Sequence, residues 1–135
     1  MDEAVRELGR RALAAGFICG PGVLLDNGER VMGEPDADGD VTLHENGLVG
    51  WGTIVGKVPD FGDPTGATRG ALLEQVREAW KDPGLACVTA SHTHADGYRR
   101  RVIGGHHHGS AFMAVSEQWH DTEAAALVAA LEAAP

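Results

Sequence analysis

Lysine and cysteine are scarce in this chain and no long apolar run occurs, and each absence excludes a class of function. Two lysines stand among 11 basic residues, against 20 acidic ones, so the formal charge is −9. Such a surface gains little by displacing counterions from a phosphate backbone, so direct binding to nucleic acid is not expected. The two cysteines, Cys19 and Cys87, are too few for a disulfide framework and lack CxxC spacing. No segment approaches the roughly 20 apolar residues of a membrane span. The opening Met1-Asp2-Glu3 is acidic where a signal peptide carries positive charge. The expectation is a soluble cytoplasmic protein with no membrane partner. Enzyme signatures are missing as well: there is no GxSxG elbow, no P-loop, no GxGxxG after a strand and no HExxH helix. His108-Gly109-Ser110 is half of a two-histidine phosphoesterase signature without its second half. Cys87, between Ala86 and Val88, reads as a small strand hydrophobe rather than a nucleophile. No residue is assigned a catalytic role.

What the chain does contain is regular patterning over 135 residues, enough for a single domain spanning 1–135. Asp2 caps a first helix to Ala15, with Val5, Leu8, Ala12 and Ala15 on one stripe, Gly16 past its end, and Arg6, Arg10 and Arg11 on a solvated face. Short β-like runs follow at 17–19, 23–25, 29–32, 40–44 and 48–58. Turn signals separate them at Gly20-Pro21-Gly22, Asn27-Gly28, Asp38-Gly39 and Asn46-Gly47. A second helix is expected after Asp63-Pro64, Asp63 capping and Pro64 at the first helical position, with Leu72, Leu73, Val76, Ala79 and Trp80 apolar and Asp82-Pro83-Gly84 as the stop. Strand candidates at 86–94, 98–103 and 111–119 precede a last helix over 122–134, capped by Asp121 or Thr122, with Leu127, Val128 and Leu131 on its buried face. The order excludes a parallel βαβ fold. It predicts an α+β class, an antiparallel sheet with two or three helices packed on one face.

Two constellations could hold a metal. Glu34 to Glu45 has the spacing of a twelve-residue calcium loop, with Glu34, Asp36 and Asp38 at positions 1, 3 and 5, Gly39 at the sharp turn and Glu45 at the bidentate last position. Asp40 adds a further carboxylate. Strand-like flanks, where an EF-hand needs helices, favour a hairpin tip with solvated acids. The second is histidine-rich: His92, His94, His106, His107, His108 and His120 suggest zinc. If Asp96-Gly97 is a two-residue turn, His92 faces Arg101, His94 faces Arg99 and His106 faces Cys87. His92 and His94 then lie on the opposite face from His106 and His108, so the two pairs are not expected to share one ion. Gly104 to Ser110 reads as a Gly/His-rich surface loop. No cofactor is the leading expectation, zinc or calcium the alternative.

Two further stretches carry a resemblance. Asp63-Pro64-Thr65-Gly66-Ala67-Thr68-Arg69-Gly70-Ala71-Leu72-Leu73-Glu74-Gln75-Val76-Arg77-Glu78-Ala79-Trp80-Lys81-Asp82-Pro83 resembles the "DPATxGxLLxxVREAWGDP" segment of small uncharacterised proteins of phages and prophages of high-GC bacteria, with Gly66 as an insertion. Residues 122–134 resemble their closing "TEAEALVAALEAA", with Ala125 in place of Glu. The two cover about a quarter of the chain. They carry helix faces and caps, not chemistry. The resemblance implies context, a small phage-borne accessory protein. By analogy with phage accessory proteins of this size, the leading reading is a non-enzymatic protein-interaction module that binds a host protein. Inhibitors of host defence or nucleic-acid-handling proteins are of that kind, and acidic charge suits a partner with a basic surface. The alternative is a divalent-metal-binding protein or metal-dependent hydrolase using the histidine-rich hairpin or the acidic loop 34–45.

Overall fold

A computed structural model describes residues 1–91, 98–108, 111–114 and 118–135. The α+β class is borne out: among the described residues three helices accompany six strands, which divide between two antiparallel sheets. The chain separates into two compact units, residues 1–71 and 72–135.

In the first unit, α1 (Glu3–Ala14) begins where the Asp2 carboxylate accepts the Ala4 N–H at 2.7 Å. Arg10 pairs with Glu3 and Glu7 on the solvated face, as expected of an amphipathic surface helix. Ala12 and Gly9 face inward. The sheet consists of β1 (Arg30–Val31), β2 (Asp40–Glu45) and β3 (Leu48–Thr53) in that order. The runs at 17–19 and 23–25 are not strands of it: Leu24 and Leu25 make isolated bridges to Arg30 and Pro59. Most of their apolar side chains nevertheless go inside, Ile18 staying exposed. Phe17, Val23, Leu25, Val31, Val41, Leu43, Val58 and Phe61 are buried, with Phe17 edge-on to Phe61 at 5.6 Å. Strand β3 stops at Thr53, so the expected run to Val58 is cut short by a turn at 55–56.

The helix cap expected of Asp63 is not made. Helix α2 (Ala67–Trp80) starts four residues later, and Asp63 closes the preceding turn through its carbonyl, which accepts the Gly66 N–H at 3.1 Å. Its carboxylate instead holds Arg30, Thr65 and Thr68. A long-range ion pair outcompetes the local cap because a bidentate guanidinium satisfies more of a buried carboxylate than amide donors alone. Most of α2 belongs to the second unit, where it ends at Trp80 with Lys81 in the left-handed region (φ 52) and the Asp82 N–H bonded back to the Arg77 carbonyl.

The second sheet is β4 (Ala86–Ser91), β5 (Tyr98–His108) and β6 (Ala111–Ala114), with β5 central. Helix α3 (Glu123–Glu132) lies against β4 and β5, and Thr122 caps it by accepting the Ala125 N–H at 3.1 Å. Val102 of β5 is fully buried, as are Ala126, Leu127, Val128 and Ala130 of α3. The Trp80 indole N–H donates to the Ala130 carbonyl at 2.8 Å, joining α2 to α3.

Two expectations about this sheet are corrected. Cys87 pairs with Val102, Val88 with Arg101 and Ala90 with Arg99, a register four residues off the one that an Asp96-Gly97 two-residue turn sets, and residues 92–97 lie outside the described ones. Arg101 therefore stands opposite Val88 and Cys87 opposite Val102, not His106. Burial of Val102 sets the pairing, because register follows the face that must be covered and a turn dipeptide does not override it. The stretch 104–108 is not a surface loop but the end of β5, where His107 pairs with Phe112 and His108 with Ala111 beyond a register shift after Ile103. Strand β6 covers Ala111–Ala114 among the described residues, and Gln118 and Trp119, expected within it, are not strand. His120 bridges Arg100 through two backbone hydrogen bonds of 2.7 Å.

Candidate interaction surface

The hairpin of β2 and β3 closes through Asn46-Gly47, with φ values of 50° and 82°. Both residues sit in the left-handed region that a type I′ turn demands, and the Asn-Gly dipeptide tolerates it. Such a two-residue turn makes Glu45 and Leu48 a hydrogen-bonded pair, and alternation makes Leu43 with Gly50 and Val41 with Gly52 the next ones. The Met32 N–H bonded to the Thr42 carbonyl at 2.9 Å agrees, since it turns Thr42 toward β1 and Leu43 toward β3. Val49 and Trp51 therefore direct their backbone N–H and C=O groups away from β2. Among the described residues no strand pairs with that side.

The side chains follow the same alternation. Val41 and Leu43 point inward and are buried, and Gly50 and Gly52 stand opposite them. A Cβ on Gly52 would lie 2.7 Å from Leu43 Cδ1, so the glycine makes room for the leucine at the sheet rim. The other face carries Val49, opposite His44, and Trp51, opposite Thr42. Trp51 is 71% exposed, Val49 62% and, at the hairpin end, Leu48 76%. Met32 and Val55 add further exposed apolar surface. Beneath the hairpin end an open groove of about 370 Å³ is lined by Glu29, Leu43, Glu45, Leu48, Gly50 and Trp51, among others. Glu29 is held by Lys57 and by Asn27, which keep its carboxyl below the ordinary range.

Acidic groups lie at both ends of β3. Glu45 is at the turn. At the other end Asp36, Asp38 and Asp40 bring carboxylate oxygens within 4.8 Å of one another, beside residues 53–55. Asp36 orders this turn, its Oδ1 accepting the N–H groups of Asp38 at 2.9 Å and Asp40 at 3.0 Å. The alternative calcium loop is only half assembled. Glu45 lies at the far end of β2 from Asp40, about 16 Å away at ~3.3 Å per residue, and the Glu34 carboxylate lies beside Gly20. The flanks are strands, as the hairpin-tip reading required.

Of the histidines, His92 and His94 lie outside the described residues. His106 and His108 belong to β5. Burial pushes both thiols up to about 11, Cys87 with further help from Glu123, so neither resembles an activated nucleophile. Sequence reasoning read 48–58 as one strand and missed its exposed edge. The available signal was the uncharged Leu-Val-Gly-Trp-Gly-Thr stretch, whose glycines alternate with large apolar residues.

Comparison of the chain with family models, curated proteins and solved structures gives no match in any of the three.

Proposed function

We propose that this chain is a non-enzymatic protein-interaction module, an acidic accessory protein of phage type that binds a host protein through the β2–β3 hairpin. The observation that carries the reading is the pair of exposed apolar side chains Val49 and Trp51 on one face of β3, with exposed Leu48 at the hairpin end, on a strand edge that no strand pairs among the described residues. Apolar surface gathered in this way marks a contact region more often than chance placement does, and tryptophan is among the residues that dominate binding energy. The acidic groups at both ends favour a partner with a basic surface, such as a host nucleic-acid-handling or defence protein whose activity the module blocks. Protonated thiols and the lack of an enzyme signature support a binding role over a catalytic one.

The test is affinity capture from host lysate by the wild-type chain and by a Val49→Ser/Trp51→Ser variant of verified fold. A discrete partner held by the first and lost by the second supports the reading. Equal capture by both overturns it.

A further inference from the structure

The free edge of β3 also restricts what can lie on it. We infer that β3 accepts an antiparallel strand from a basic partner, an extended segment with apolar residues on the Trp51 side and Lys or Arg on the Gly50 side. This rests on the interaction-module reading and specifies its occupant.

Val49 and Trp51 present two N–H and two C=O groups outward, the spacing that an added strand satisfies. Natural edge strands are usually blunted by a charge, a proline or a bulge. Residues 48–53 contain no charged residue and no proline, and their pairing with β2 runs without a register break. An added strand places successive side chains on opposite faces of the sheet. On one face they meet Val49 and Trp51 and are best apolar. On the other they cross Gly50, which has open space where a Cβ would stand, and reach the groove over Leu43 and Leu48 with the Glu45 carboxylate at its rim. A long aliphatic stem with a cationic tip fits that path, the stem covering leucine and the tip meeting carboxylate.

The same charges disfavour a second copy as the occupant. A two-fold antiparallel pairing of β3 with itself brings the acidic Glu45 end of one chain to the same end of the joined sheet as Asp36, Asp38 and Asp40 of the other, and like charges gathered at one end are unfavourable.

The probe is a blocked nine-residue peptide of alternating Lys and Val, added to the full chain at low and at physiological salt. Tryptophan emission, compared with that of a Trp51→Phe chain, and amide hydrogen exchange are the readouts. The expected result is saturable binding that slows exchange at Val49 and Trp51 and weakens with salt. Binding should fall about tenfold or more for a Glu/Val peptide, for a peptide with central proline and for the Glu45→Lys protein. Binding that leaves exchange at Val49 and Trp51 unchanged overturns strand addition, as does equal affinity for the Glu/Val peptide. Concentration-dependent dimerisation in sedimentation that Trp51→Ser abolishes makes a second copy the occupant and overturns the basic-partner assignment. If the peptide does not bind while host-partner capture still depends on Trp51, strand addition fails and the interaction-module reading stands. If capture is also insensitive to Trp51, both fail.

Discussion

Arg30 grips Asp63 with both arms of its guanidinium, Nη1 at 2.8 Å from Oδ2 and Nη2 at 3.1 Å from Oδ1, and the Asp63 side chain is fully buried. The carboxylate also accepts the Thr65 N–H and the Thr65 and Thr68 hydroxyls. Arg30 above all, and then these donors, hold its carboxyl well below the usual carboxylate range despite burial. A depressed folded-state value contributes stability that is complete above the unfolded carboxylate value near about 4 and is lost as pH falls toward the folded one. Asp63→Asn should lose roughly 2–4 kcal/mol at pH 7 and show a flatter decline of stability below about pH 4 than wild type. Chemical denaturation at a series of pH values checks this. Parallel acid limbs would remove Asp63 from the stability of this unit.

Gly9 and Gly70 are both helical glycines, and alanine should act on them with opposite sign. A Cβ on Gly9 would lie 2.7 Å from the Pro59 carbonyl oxygen and 3.2 Å from Val58 Cβ, whereas one on Gly70 meets nothing within 4 Å. Gly70→Ala should stabilise by about 0.5–1 kcal/mol through helix propensity. Gly9→Ala should destabilise by roughly 1–3 kcal/mol, because backbone has to move. Thermal melts of the two variants decide it, and a stabilised Gly9→Ala would show that the approach of α1 to Pro59 is loose.

The Asp36 carboxylate organises its turn with amide donors alone, so calcium is not needed to form it. Calorimetric titration with calcium at physiological salt should show no saturable site, and Glu45→Gln should change nothing in that titration. Asp36→Ala should cost about 1 kcal/mol by freeing two amides. Micromolar calcium binding abolished by Glu45→Gln would overturn this, since it would require Glu45 to close the loop.

Both thiols should resist alkylation. With values near 11, roughly one thiol in a thousand is ionised at pH 8, and Cys19 is buried besides. Iodoacetamide labelling followed by mass spectrometry should stay slow in buffer and become fast in denaturant. Rapid native labelling of Cys19 would mean that its cover opens readily.

Local features were legible from residue types alone. Asp2 and Thr122 cap their helices and Asn46-Gly47 turns its hairpin, because each needs only neighbouring residues to act. The Asp63 cap failed for the converse reason: its partner Arg30 lies 33 residues away and no local rule includes it. The acidic loop shows the limit of spacing. Asp36, Asp38 and Asp40 converge as their spacing suggests, but the strand that buries Val41 and Leu43 carries Glu45 to the far end.

By itself the sequence determined the α+β class, the three helices and the acidic charge, since periodicity, caps and side-chain ionisation are properties of short segments. Only the tertiary structure decided that the strands form two sheets, that Cys87 lies opposite Val102, and that β3 is an edge with Trp51 uncovered. Pairing and register follow from which apolar face finds cover, and cover comes from residues distant in the chain. A strand reads the same in sequence whether one of its edges or both are paired.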